Sequence, residues 1–209
     1  MAGKKLLLMI GGEYHPFERF AEFFRGLLAP HGIPAEVTRE RDAFLAERIP
    51  DYAAVAVYTQ GGTLTETQET GLLDFVAGGG GFLGVHGAAA SWRENDGYID
   101  MLGGTFKAHG EIGPVCVRIT GARTPITNGM DDFTVTDELY TLDRFQPRNS
   151  RVLATADFQG TAHPMAYTRA YGNGRVFYLA LGHDERSFES GPVSRMLVRG
   201  AEWVLNPAE

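Results

Sequence analysis

The chain has a single cysteine in 209 residues, Cys116, so no internal disulfide can staple the fold. It lies in the alternating segment Val115-Cys116-Val117-Arg118-Ile119, which reads as a strand and gives the thiol a packing role. Basic residues are also scarce: 19 Lys and Arg against 26 Asp and Glu leave a formal net charge of -7. That charge repels phosphate backbones and anionic lipid, and the cations are scattered, so neither nucleic acid nor membrane is expected as a partner. No stretch approaches the ~18 apolar residues needed to span a bilayer. Lys4-Lys5 ahead of leucines imitates a secretory signal, but Gly11-Gly12-Glu13 cuts the apolar run short, so a first strand and a cytoplasmic location are expected. The glycines at Gly61-Gly62 and at 78–81 match neither a P-loop nor a dinucleotide fingerprint, which argues against nucleotide binding. Fixed-period repeats, low-complexity tracts and shifts of composition are lacking too, so 1–209 reads as one domain.

What is present is ample core material, 44% hydrophobic residues against 22% charged. In the first half, apolar runs at 6–10, 35–38, 52–58 and 82–85 alternate with helical spacing at 17–28 and 65–76, the pattern of crossover helices covering a parallel sheet. Thr65 and Gln68 have the spacing of a capping box. A short irregular stretch follows through Trp92 and Met101. The second half offers short strands at 115–120, 139–143, 152–156, 165–171 and 176–181, expected to add antiparallel strands to the same sheet, and a closing helix at 193–205. Gly172-Asn173-Gly174 is a hairpin turn tolerant of positive φ. The expected class is α/β, three-layered, with a mostly parallel central sheet and added antiparallel strands. An exposed apolar strand in the second half would suit a homo-oligomer.

Chemistry is expected where strands end. Gly84-Val85-His86-Gly87-Ala88 places His86 in a small-residue turn after an apolar run, the setting of a nucleophile elbow with imidazole in place of Ser or Cys. Tyr14-His15, Gln60, His109 and His183-Asp184-Glu185 occupy other strand ends or nearby loops, and in an open α/β sheet such residues gather over one crevice when their strands are neighbours. Asp137-Glu138-Leu139-Tyr140 reads equally as a surface turn or as acids for sugar hydroxyls or metal. No segment has the compact spacing of His-Glu-x-x-His. A divalent metal such as zinc therefore requires His86, His109 and His183 to meet from distant segments.

Taken together, Gly80-Gly81-Phe82-Leu83-Gly84-Val85-His86, Leu102-Gly103-Gly104-Thr105-Phe106 with His109, Pro125-Ile126-Thr127, Asp137-Glu138-Leu139-Tyr140 and Tyr171-Gly172-Asn173-Gly174-Arg175-Val176-Phe177-Tyr178 leading to Gly182-His183-Asp184 resemble the trehalose-utilisation (ThuA-like) family, nearly end to end. That family is similar to the class I glutamine amidotransferase fold, itself flavodoxin-like, in which an elbow Cys works with a His and a Glu after a late strand. His86, His183 and Glu185 would fall in those places. Imidazole cannot form the thioester of glutamine hydrolysis, so glutaminase activity is not expected.

The resemblance implies carbohydrate utilisation, with a disaccharide-derived sugar or keto-sugar as the small-molecule partner. In the enzyme reading His86 and His183 are acid and base, with Glu138 and Glu185 as their carboxylates. Tyr14, Trp92 and Tyr140 stack on the sugar, while His15, Gln60, His109 and Asp184 bind it. Two rivals stand beside this reading: a non-catalytic carbohydrate-binding or regulatory protein, and a metal-dependent hydrolase or lyase.

Overall fold

The computed structural model describes residues 5–206; Lys4, half of the lysine pair before the first strand, lies outside them. In chain order the elements are β1 (Leu6–Gly11), α1 (Phe17–Leu28), β2 (Ala35–Thr38), β3 (Ala54–Thr59), α2 (Glu66–Ala77), β4 (Gly81–Val85), α3 (Asp96–Leu102), β5 (Thr105–His109), β6 (Gly113–Ile119), β7 (Phe133–Asp137), β8 (Tyr140–Asp143), β9 (Arg151–Phe158), β10 (Thr161–Tyr171), β11 (Gly174–Leu179), α4 (Glu185–Phe188) and α5 (Gly191–Leu205). Nine strands form one sheet in the order β2-β1-β3-β4-β11-β10-β9-β6-β7. The first five in that order run parallel, and the other four extend the sheet antiparallel.

Burial explains the parallel half. Every residue of β3 and β4 is buried, the unbroken apolar pattern of strands covered on both faces. Helix α1 turns Phe17, Phe20, Ala21, Phe24 and Leu28 inward at helical spacing, and Phe20 stacks on Tyr58 of β3 at 4.0 Å. It shares its face of the sheet with α5, whose Gly200 lets the Phe177 ring of β11 approach closely. Helices α2 and α3 cover the opposite face, giving three layers. The Thr65 and Gln68 capping box forms as the spacing predicts, satisfying two otherwise unpaired donors at the start of α2. No described helix is long and apolar enough to cross a membrane.

Four details depart from the sequence reading. The stretch after Trp92 contains a regular helix, α3, because Tyr98, Met101 and Leu102 fall at helical spacing and are buried. The strand expected at 139–143 leaves the main sheet and pairs as β8 with β5, which the sequence reading had not recognised as a strand. Strand β11 closes the Gly172-Asn173 hairpin with β10 but also runs parallel to β4, so it belongs to both halves of the sheet. Cys116 faces outward from β6, taking a weak hydrogen bond from Thr134, and does not pack in the core.

One glycine shows how tightly the layers close. A Cβ on Gly81, at the start of β4, would lie 2.3 Å from the Val204 carbonyl oxygen in the last turn of α5. The Gly81→Ala variant must push that turn off the sheet, and we expect it to lower unfolding free energy by about 1–3 kcal/mol in urea titrations at unchanged m-value. An unaltered midpoint would show that α5 does not rest on β4 at that point.

Candidate functional site

The strand order reverses direction between β1 and β3, and the carboxyl ends of β1, β3, β4 and β11 share one edge of the sheet. Such a switch point leaves a crevice because successive loops turn to opposite faces. His15 follows β1, Gln60 follows β3, His86 follows β4 and His183 follows β11. His86 sits at φ 42°, a left-handed conformation costly for a residue with a side chain, at the sharp turn expected of an elbow. Gly87 beside it is obligatory, since a Cβ there would meet the Thr59 carbonyl oxygen at 2.5 Å. The elbow does not expose its side chain as the sequence reading supposed: His86 is 0% accessible, roofed by the Tyr140 ring at 4.0 Å.

The second contribution comes from across the sheet. Asp137 ends β7, separated from β11 by β10, β9 and β6, and the pairing of β9 with β10 carries register shifts near Ala166. Its buried carboxylate accepts hydrogen bonds from the backbone N–H of Glu138 (2.7 Å), Gly182 (2.7 Å) and His183 (3.3 Å), and from the Ser187 hydroxyl. This clamp sets Glu138 beside His183. Buried tyrosines brace the same loops: Tyr58 donates to the carbonyls of Gly182 and His183, and Tyr178 to that of His86. Burial raises the pKa of both phenols, which keeps them donors.

Four side chains converge as a result. One ligand-type atom from each of His15, His86, Glu138 and His183 lies within 4.8 Å of the other three. His183 Nδ1 is 3.0 Å from Glu138 Oε2, and His86 Nε2 is 3.6 Å from the same oxygen. His86 Nδ1 lies 2.7 Å from the Ala180 carbonyl, which can only accept, so Nδ1 carries the proton and Nε2 presents a lone pair. Both ring nitrogens of His15, with His86 Nε2 and His183 Nδ1, are buried without a hydrogen-bond partner among the described residues. Desolvation, then the neighbouring imidazoles, pushes the His15 pKa down to about 3, and the same causes lower that of His183. For Glu138 burial opposes ionisation, but nearby His86, His183 and His109 outweigh it and hold the carboxyl below its usual range.

Above this floor opens a pocket of about 760 Å³, lined by Tyr14, His15, Gln60, Phe106, His109, Glu138, Tyr140 and His183 together with Arg93 and Glu94. That volume suits a small-molecule ligand. Tyr14, 71% exposed, and Phe106 form apolar walls. His109 stands at the rim with its side chain 44% exposed, 3.6 Å from Glu138 Oε1. It lies outside the set of four converging atoms, so His15 and Glu138, and not His109, join His86 and His183 there.

Three expected residues fall elsewhere. Glu185 is exposed in the first turn of α4, outside the cluster. Asp184 caps α4 and pairs with Arg186, and it is not among the residues lining the pocket. Trp92 is 1% exposed between Phe44 and Tyr98, a core ring unavailable for stacking on a ligand. Arg93 and Glu94 carry no signal in the sequence, and Phe106 enters there only within a family motif, with no site role. An apolar residue three before His109 in a short β-ribbon was the one available signal.

The family model for ThuA, described as trehalose utilisation, matches residues 5–204. This chain belongs to the ThuA family. Among solved structures, the ThuA chain is similar to a ThuA-like protein of Parabacteroides merdae ATCC 43184, at 21% identity and TM-score 0.85, covering 98% of this chain and 90% of that one. A ThuA-like protein of Bacteroides uniformis ATCC 8492 gives 21% identity and TM-score 0.81, covering 97% and 92%. Cytoplasmic protein STM1381 of Salmonella typhimurium LT2 gives 16% and 0.75, covering 96% and 99%. At these identities the likeness establishes the fold. No curated protein matches the ThuA chain in sequence.

In this ThuA-family site Asp137 is the structural key. Asp137→Ala strands four donors, three of them in buried contacts, and we expect a loss of about 3 kcal/mol or more in chemical denaturation, with Asp137→Asn intermediate because its amide keeps one acceptor oxygen. A loss below about 1 kcal/mol would show that the clamp does not hold the two loops together.

Proposed function

We propose that this ThuA-family chain is a carbohydrate-utilisation enzyme that binds a disaccharide-derived sugar or keto-sugar in the pocket and moves protons beside a ring carbonyl. The observation that carries the reading is the convergence of three imidazoles and one ionised carboxylate on the floor of an open pocket with aromatic walls. A purely structural cluster would not leave several buried ring nitrogens unpaired, because each costs free energy that folding has to offset. Family membership supports the substrate class.

The geometry narrows the roles. His109 is the proton carrier: its Nδ1 is engaged by the Gly110 carbonyl at 2.7 Å, its Nε2 is left for the substrate, and its rim position lets it meet the ligand. Glu138 and His183 provide the charge and the lone pairs at the floor, and His86 acts from behind them. Tyr14 and Phe106 offer rings to the apolar face of a pyranose, while Gln60, Arg93 and Glu94 supply hydrogen bonds to its hydroxyls. No thiol stands at the elbow, so the thioester of glutamine hydrolysis could not form on His86.

Turnover of a panel of disaccharides and 3-keto-glycosides tests the reading. His109→Ala is expected to retain the fold, by circular dichroism and melting temperature, and to lower kcat by about 10²-fold or more. Full activity in that variant would remove His109 from the chemistry. Saturable sugar binding by the intact protein with no product across the panel would replace the enzyme with a carbohydrate-binding protein.

A further inference from the structure

We infer that His15, His86, Glu138 and His183 form the seat of one divalent transition-metal ion of the zinc class, open toward the pocket. The catalytic use of that ion rests on the carbohydrate reading; its binding does not.

Two geometric facts carry the inference. The four donor atoms lie within 4.8 Å of one another. Bonds of about 2.0–2.2 Å around a tetrahedral zinc place neighbouring donors roughly 3.3–3.6 Å apart, so small side-chain movements close the set around an ion. Of the contacts to Glu138 Oε2, the 3.6 Å to His86 already has this spacing and the 3.0 Å to His183 is a little shorter. At 3.0 Å the His183 nitrogen would normally make a hydrogen bond, yet it has no such partner. The two atoms are close without making a hydrogen bond to each other.

The second fact is the tautomer. His86 donates from Nδ1 to the Ala180 carbonyl, the outer contact by which metal-bound histidines are commonly oriented, and so directs the Nε2 lone pair inward. It is 0% exposed, and that inward nitrogen has no hydrogen-bond partner among the described residues. A cation would take up the ring-nitrogen lone pairs that no described residue satisfies, and the Glu138 carboxylate beside them would balance its charge.

The donor set also selects the ion. Three imidazole nitrogens and one carboxylate oxygen suit zinc and its first-row neighbours, whereas magnesium and calcium prefer oxygen ligands. His15, Glu138 and His183 line the pocket, with His86 behind, so the ion's exposed side faces the ligand space. There it would polarise a substrate carbonyl or hydroxyl, leaving His109, outside the ligand set, to carry the proton.

The test is metal binding by the full chain, treated with chelator and then titrated with zinc chloride against a chromophoric competitor. One zinc per chain is expected, with a raised melting temperature, and cobalt(II) should produce visible d–d absorption. Glu138→Gln and His183→Gln are each expected to weaken zinc binding by about 100-fold or more, while His163→Gln, outside the pocket, leaves it unchanged. Because the His86 elbow variant risks misfolding, the two pocket-facing variants carry the decision. No stoichiometric zinc or cobalt uptake, or uptake indifferent to both substitutions, would overturn the site. Zinc bound as described without turnover of any sugar would leave the site standing and remove the carbohydrate reading; sugar turnover by protein that takes up no metal would do the reverse.

Discussion

The Asp137 carboxylate is the contact on which the site depends. It joins the end of β7 to the loop after β11, two places remote in the sheet order, by accepting four hydrogen bonds in a dry environment. Charge-assisted bonds of this kind are about twice as strong as neutral ones, and they are directional. The clamp therefore fixes position as well as stability: Glu138 N–H and His183 N–H meet the same side chain, so their own side chains emerge together. Tyr58 and Tyr178 act on the carbonyl side of the same loops, leaving the elbow and the Gly182 turn little freedom.

This rigidity allows an arrangement that would otherwise relax. Imidazoles with unpaired nitrogens tend to rotate toward water or a backbone partner, and a left-handed histidine tends to be replaced by glycine. Here the ring of His86 is held by Ala180 on one edge and Tyr140 on its face, and His15 is wedged among Phe17, Tyr58, His86 and His183. The backbone strain and the unsatisfied nitrogens fall at the same place, and the scaffold around them is apolar and closely packed. Stored cost concentrated at one point of a well-packed fold is the usual mark of a working site.

Much of the fold was legible. The apolar runs of β1, β3 and β4, the amphipathic face of α1 and the Thr65 capping box are local patterns, and local patterns survive into the structure because burial on both sheet faces rewards them directly. Strand β5 was harder to read because it is short, and the pairing of β8 with it outside the main sheet has no local signal. Trp92 misled for a related reason: its aromatic ring reads equally as a sugar platform or as core, and only packing against Phe44 and Tyr98 separates the two.

The sequence by itself determined the α/β class, the family and the strand-end positions of His15, His86 and His183, because apolar periodicity and turn residues are written locally. Only the tertiary structure decided that Glu138 joins them, that Glu185 and Asp184 are not among the residues lining the pocket, and that His109 stays at the rim. Those outcomes depend on the register of the antiparallel strands, on Asp137 crossing from β7 to the β11 loop, and on α4 beginning at Glu185. Such long-range contacts have no signature in residue order, since they follow from the summed twist and packing of strands distant in the chain.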